Sequence, residues 1–319
     1  MQIFSNPNFD FVRWRWHAMA LSALIVIAGI AMIATRGLQK GVEFEGGTIV
    51  ILKFDQQPSL NAITEALGGD AIVQQYGPVE NRDIMIRVAR VGAESGADLS
   101  SEVDRIIQTL DAANVGSFNK TPVGTEIVGP IVGEQLRRQG IWATVLAMAG
   151  ILAYIAFRFQ FSFAVGAVVA TLHDLLVCLA FLSFFRYDMT LNVVAGLLTI
   201  TGYSVNDTIV IFDRVRENMR GMRRENLRTI VNTAVNQTLS RTVITAGTTL
   251  LSVIALYLFG GEVLEGFAFT MLIGIISGTY STVFIASSIA ILLQGRKPLK
   301  GQPAAATTTS TRPSKRRAS

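Results

Sequence analysis

Cysteine is almost missing: Cys178 is the single one among 319 residues, so no intrachain disulfide can form. Histidine is nearly as scarce. His17 and His173 are the full set, and with one thiol they offer no Cys/His cluster for a metal. No G-x-x-x-x-G-K-[ST] segment is present, which removes the common phosphate-cradling loop. The shortage that says most is charge. Asp, Glu, Lys and Arg make up 16% of residues, against roughly 25% in soluble domains. Half of the chain is hydrophobic, and mean hydropathy is +0.43. Disordered, collagen-like and disulfide-rich classes are excluded, and an ordinary cytosolic enzyme is disfavoured. A net charge of +5 hints at nucleic acid, so the placement of the charges has to decide.

Six stretches, 18–34, 140–157, 161–185, 189–212, 242–259 and 266–293, hold 130 residues and two formal charges, Asp174 and Asp207. All eight prolines lie outside them. Each stretch is near or above the ~20 apolar residues that a membrane-spanning helix needs. The last is long enough to require tilt or a segment extending past the bilayer. The first exceeds the ~7–15-residue core of a signal peptide, and Thr35-Arg36-Gly37 interrupts any small-x-small cleavage site. It reads as a retained anchor.

Lys and Arg set the orientation. Arg13 and Arg15 precede span one, Arg158 lies between spans two and three, and six arginines lie in 213–240. The tail from 296 has seven basic residues and no acidic one. These segments alternate onto one side, which the positive-inside rule makes cytoplasmic. The expected organisation is a cytoplasmic 1–17, a first span at 18–35, an outward domain at 36–139, spans two to six within 140–293 with a cytoplasmic loop at 213–240, and a disordered basic tail at 294–319. The tail's default is solvation; lipid or ribosomal RNA contact is the alternative.

The outward segment is compositionally soluble. Strands are predicted over 42–54, 71–76, 83–91 and 117–128, and helices over 58–67 and around Leu99, Val103, Ile106, Ile107 and Leu110. The order β-α-β-β-α-β is ferredoxin-like. Strand alternation would put Glu43 and Glu45 on one face, read as a solvated face in preference to an acid/base pair.

Polar residues inside the spans are the functional candidates. In span four, Thr199, Gly202, Asn206 and Val210 share a helical face, with Tyr203 and Asp207 beside it. The stripe is expected to aim at neighbouring helices. Asp207 lies about 9 Å inside the cytoplasmic end at ~1.5 Å per residue. An ionisable group there is costly and marks a functional site by default, a structural hydrogen bond being the alternative. In span five, Arg241, Thr245, Thr248 and Ser252 recur at helical spacing. Arg241 either leans inward or anchors at the headgroups. His173-Asp174, near the middle of span three, reads equally as a proton relay or a structural hydrogen bond. Gly274-x-x-x-Gly278 in span six is a close-packing motif.

The run 202–218, Gly-Tyr-Ser-Val-Asn-Asp-Thr-Ile-Val-Ile-Phe-Asp-Arg-Val-Arg-Glu-Asn, closely resembles the signature of the SecF branch of the SecD/SecF family of bacterial protein translocase subunits. So do Thr238-Leu-Ser-Arg-Thr-Val-Ile-Thr245, Leu256-Tyr-Leu-Phe-Gly-Gly261, Leu264-Glu-Gly-Phe-Ala268 and Gly274-Ile-Ile-Ser-Gly-Thr-Tyr-Ser-Thr282. The resemblance runs from about 18 to 293. It implies a six-span half-transporter of RND type with one periplasmic ferredoxin-like domain, in the bacterial inner membrane. It implies SecD, the SecYEG channel, YajC, the SecA ATPase and preprotein as partners, with lipid but no specific nucleic acid. Protons would be the coupling ion, with no cofactor and no enzyme activity. By motif position, the proton-pathway aspartate falls on Asp207 and the arginine on Arg241; Asn206, Tyr203, Thr245, Thr248, His173, Asp174, Gly274 and Gly278 support them. Where the family usually has Asp-Phe-Thr-Gly-Gly, this chain has Glu43-Phe44-Glu45-Gly46-Gly47. The implied role is proton-driven completion of preprotein export after the SecA step. Its rivals are a small-molecule RND-type exporter subunit and a structural scaffold that carries no protons.

Overall fold

A computed structural model describes residues 7–68, 71–88 and 96–294. The basic tail beyond 294 lies outside the described residues. Six helices are long and apolar enough to cross a membrane, and the six expected stretches fall within them except for residues 189–190, which precede the fourth. They are α1 (Arg15–Arg36), α5 (Pro130–Arg158), α6 (Phe161–Phe185), α7 (Leu191–Gly221), α8 (Leu227–Phe259) and the continuous α9 (Glu262–Ser281) and α10 (Ser287–Gln294). One π-helical turn, Thr282–Ala286, joins the last two.

The helices overrun the apolar stretches. α5 begins at Pro130, whose missing N–H suits the first helical position. Its 29 residues span about 43 Å at ~1.5 Å per residue, more than the ~30 Å hydrocarbon core. Residues 130–139, expected in the outward domain, are therefore its first turns. The predicted 213–240 loop shrinks to 222–226, because α7 runs on to Gly221 and α8 starts at Leu227. Asn226 caps α8, its Oδ1 accepting from the Thr229 amide at 2.9 Å. Arg214, Arg216, Arg220 and Arg228 thus sit on the ends of α7 and α8, and Arg223 and Arg224 in the short connection between them.

α9 is central, with buried residues along both α7-facing and α6-facing sides, while α5 and the second half of α8 are largely exposed. Two apolar clusters fill the bundle. One gathers Phe163, Val205, Phe212, Val231 and Ala286; the other gathers Leu182, Val193, Ile200, Val253 and Ile275. The N-terminal segment is tied to α8. Asn236 accepts from the Phe9 amide and Asn232 from the Phe11 amide, and both side-chain amides donate back to the Phe9 carbonyl, at 2.8–2.9 Å.

The domain between α1 and α5 has the expected element order: β1 (Gly47–Lys53), α3 (Leu60–Ala66), β2 (Ala71–Tyr76), β3 (Asp83–Val88), α4 (Gly96–Ala112) and β4 (Gly124–Val128). The sheet order β2-β3-β1-β4, antiparallel throughout, is that of a ferredoxin-like fold. Val50, Leu52, Ile63, Ile84, Ile86 and Leu110 pack its core with no exposed surface. Two strand expectations are corrected. Residues 42–45 form a single helical turn, α2 (Val42–Glu45), so Glu43 and Glu45 do not alternate on a strand. Gly46 ends that turn at φ 75°, a conformation β-branched and aromatic neighbours avoid. The last strand starts at Gly124 rather than 117; Phe118 instead bridges Phe54.

Candidate functional site

Asp207 lies on α7 where α8 passes it. Its Oδ1 accepts from Thr242 Oγ1 at 2.9 Å. Its Oδ2 is buried with no hydrogen-bond partner. Arg241 is exposed and forms no ion pair among the described residues; the neighbouring Thr242 supplies the contact. Beyond this point Arg158 pairs with Asp213 at 3.0 Å, and Arg214 donates to Gln237 at 2.7 Å. These contacts tie the projecting ends of α5, α7 and α8 together.

The polar stripes do not turn toward this chain's own helices. Thr199, Gly202 and Asn206 on α7 are exposed, as are Arg241, Thr245, Thr248 and Ser252 on α8. Several hydroxyls fall back on their own helix: Thr199 donates to Ala195 O at 2.7 Å, Thr248 to Ile244 O at 2.9 Å and Ser252 to Thr248 O at 3.1 Å. Asn206 makes no such bond among the described residues. Asn206 and Arg241, each adjacent in sequence to a partner of the Asp207–Thr242 bond, flank that bond as exposed polar groups. Tyr203 is half-buried against the Ile200 and Val253 cluster.

The second membrane carboxylate, Asp174, has the opposite environment. It is 1% exposed. Its Oδ1 accepts from Ser277 at 2.7 Å and lies 3.0 Å from His173 Nδ1. Its Oδ2 accepts from Ser204 at 2.6 Å and Ser281 at 2.7 Å. Three helices, α6, α7 and α9, thus meet on one carboxylate. The glycine pair lets them approach. A Cβ on Gly274 would stand 2.4 Å from Ile200, and one on Gly278 3.2 Å from Ser204. Gly274 and Gly278 lie where α7 and α9 come closest. The three serines and Thr242 were not singled out as ligands, although Ser277 and Ser281 at i, i+4 signal a shared polar face.

A third polar site joins the sheet domain to the bundle. Arg87 on β3, 5% exposed, pairs with Asp188 in the α6–α7 connection at 2.9 Å and donates to Lys40 O at 2.8 Å. Beside it, Gly41 N donates to Met189 O at 2.8 Å and Met189 N to Gln39 O at 2.7 Å. Burial pushes the Asp188 carboxyl above the usual carboxylate range, against the opposing pull of Arg87. Glu43 accepts from the Leu191 amide at 3.4 Å, and Glu45 pairs with Lys40 at 3.1 Å, so this part of the departing motif faces the junction. Gly46 is pressed against α5, where a Cβ on Gly133 would meet its backbone nitrogen at 2.9 Å. Among the described residues no group of three His, Cys, Asp or Glu is placed to hold a metal ion.

Comparison with known proteins gives this architecture a family. Residues 108–296 match the family described as protein export membrane protein SecD/SecF, C-terminal, and residues 31–58 match the SecD/SecF GG motif. The protein translocase subunit SecF of Desulfurispirillum indicum is 41% identical over 293 residues, covering 90% of this chain and 92% of that one. The subunit SecF of Escherichia coli O157:H7 is 39% identical over 290 residues, covering 89% and 88%. Among solved structures, SecDF of Thermus thermophilus, described as a translocon-associated membrane protein, superposes with a TM-score of 0.79 at 31% identity. That alignment covers 91% of this chain and 39% of the larger SecDF chain. SecDF in a super-membrane-facing form aligns with a TM-score of 0.67. With nine-tenths of its length aligned to curated SecF subunits and both family segments in place, the chain belongs to the SecF family of protein translocase subunits.

Proposed function

We propose that this multi-pass membrane subunit works with a SecD-like partner to couple the proton motive force to late, SecA-independent steps of preprotein translocation and release. The observation that carries the reading is the pair of polar stripes left exposed on α7 and α8 around Asp207. Lipid cannot satisfy the exposed Asn206, and uncompensated polar groups in hydrocarbon are costly. A second helical half with its own polar face resolves this. The relative of known structure supports the same pairing, since this chain spans 39% of a SecDF chain. Asp207 then takes up and releases protons at the interface, and Arg241 swings in as its counter-charge. Each proton crossing 100 mV supplies about 2.3 kcal/mol, enough to bias rocking of the two halves. The basic ends of α7 and α8 support a cytoplasmic location for both termini and a periplasmic one for the sheet domain. SecYEG, YajC and SecA act through the complex, and the sheet domain sits on the side where preprotein emerges.

Asp207→Asn tests this in inverted membrane vesicles holding the partner complex. The expected result is intact co-purification with a SecD-like chain and loss of the proton-gradient-dependent part of preprotein export. Full export in that variant refutes proton coupling at Asp207. Failed assembly points to a scaffold, and normal export with drug sensitivity points to a small-molecule exporter.

A further inference from the structure

We propose that Asp174, served by His173, is a second proton-binding site in the membrane core, and that its charge holds α7 against α9. The inference rests on the proton-coupled reading for its consequence, but the site is separate from Asp207 and is testable without it.

The ligand set accommodates Asp174 with or without a proton. Three serine hydroxyls donate to the two oxygens, and His173 Nδ1 completes the shell on Oδ1 as donor or acceptor according to its tautomer. No Lys or Arg accompanies them among the described residues. With Nδ1 as donor the shell suits a carboxylate, and with Nδ1 as acceptor it suits a neutral acid whose hydrogen lies on Oδ1. The anion is stabilised only while the donors stay aimed at it. The same geometry offers an exit. Ser281 Oγ already lies 3.2 Å from Gly278 O, an alternative acceptor on its own helix. Protonating Oδ1 weakens Oδ2 as an acceptor and lets Ser281 turn to that carbonyl, while His173 Nδ1 accepts the new hydrogen.

His173 provides the route. Its Nδ1 faces Asp174, and its ring lines a groove of about 280 Å³ between α1 and α6, with Ser22, Met19 and Val26 on the other wall. A proton arriving at Nε2 makes the imidazolium. The Nδ1 proton then passes to Asp174 Oδ1, leaving a neutral acid and the neutral Nε2–H tautomer. The other titratable groups around the site are few. α6 itself adds Cys178, α7 brings Asp207 three residues beyond Ser204, and α9 brings Tyr280, whose ring lies 6.4 Å from that of His173. α1 carries charge only at its ends, Arg15 and Arg36; His17 precedes Ala18, the carbonyl acceptor of the Tyr280 hydroxyl at 2.7 Å.

The mechanical link is short. Ser204 ties α7 to the anion, and Ser277 and Ser281 tie α9 to it. Directly after Ser281 the helix widens into the π turn Thr282–Ala286, a feature that concentrates at functional sites. Thr282 also meets Thr208 of α7, hydroxyl to hydroxyl, at 3.1 Å. Neutralising Asp174 weakens Oδ2 as the acceptor of Ser204, one turn from Asp207, so the state of the buried site reaches the interface site through one helix.

The test is infrared difference spectroscopy of the purified full chain in lipid nanodiscs during acidification. The wild type should develop the C=O stretch of a buried carboxylic acid. Asp174→Asn should lose that band, while Asp207→Asn keeps it. His173→Gln should keep it but slow its appearance by roughly a hundredfold after a pH jump. If Asp174→Asn does not fold, Asp174→Glu should move the band in frequency. Spin labels on α7 and α9 should report a distance change with the same midpoint. A spectrum identical in wild type and Asp174→Asn, an unmoved band in Asp174→Glu, or a band without any distance change overturns the proposal. Loss of export in Asp207→Asn with the band intact leaves the two sites distinguishable.

Discussion

Replacing Gly274 by alanine adds one methyl group at the tightest point of the α7–α9 contact. Its Cβ would stand 2.4, 2.5 and 2.7 Å from Cγ1, Cγ2 and Cδ1 of Ile200. Carbon atoms prefer about 3.5–4.0 Å, so all three atoms must retreat by about 1 Å. Ile200 is 2% exposed and, being β-branched in a helix, is held in essentially one χ1 rotamer. Forcing it off that rotamer costs about 0.5–1.5 kcal/mol. Separating the helices instead forfeits contacts along the whole interface and stretches the Ser204–Asp174 hydrogen bond of 2.6 Å. Overpacking of this kind costs about 1–3 kcal/mol, and the loss of alignment at Asp174 places Gly274→Ala near the upper end. Ile200→Ala alone should cost about 2–5 kcal/mol through the cavity it leaves. The double variant removes all three clashing atoms and fills part of that cavity. It should therefore be more stable than the sum of the single variants by about 1 kcal/mol or more. Reversible unfolding in mixed micelles measures all four proteins. A Gly274→Ala variant within about 0.5 kcal/mol of wild type, or strictly additive effects, would show that the helices do not meet as closely as described.

The Arg87–Asp188 junction predicts a pH dependence with a definite sign. Arg87→Met leaves the Asp188 carboxylate buried without its counter-charge, at a cost of about 3 kcal/mol near neutral pH. Burial already raises the Asp188 carboxyl, and removing Arg87 lifts it further. A raised folded-state value means that stability is kept at low pH and lost as pH rises. The penalty should shrink in mildly acidic buffer, checked by thermal unfolding with proteolysis of the sheet domain; a penalty constant across pH sinks the assignment. At the start of α8, Asn226→Ala removes the cap on the Thr229 amide and should cost about 1 kcal/mol, readable as faster hydrogen exchange at residues 227–230. An unchanged exchange rate there means the cap contributes nothing.

The spans were legible because hydrocarbon imposes a simple demand on length and charge. The ferredoxin-like order was legible because strands and helices of the domain bury one face each. The turn Val42–Glu45 was not, since Val42 and Phe44 have strand-like chemistry and only the Gly46 conformation reveals the helical stop. The arginines at 214–228 read as a loop because charge excludes a residue from hydrocarbon but not from a helix in water. Asp207 announced itself as a charge in an apolar run. Its partner did not: Arg241 was the conspicuous side chain, yet Thr242, one position on, makes the contact. The Asp174 cluster was hardest to read. Serines in helices commonly bond their own carbonyls, so nothing in the spacing says that Ser204, Ser277 and Ser281 converge on one carboxylate from separate helices.

The clasp between Phe9 and Asn236 closes over 227 positions of sequence. Ribosomes add roughly 5–20 residues per second, so the beginning of the chain waits about 10–45 s for its anchor to be made. During that interval α1 must already lie in the bilayer, with Phe9 and Phe11 unattached beside it. Fastening is therefore a late event in biogenesis, after α7 and the first turns of α8 have emerged. A truncated nascent chain that stops before Asn232 should hold its leading segment open to proteases, and one that extends past Asn236 should not.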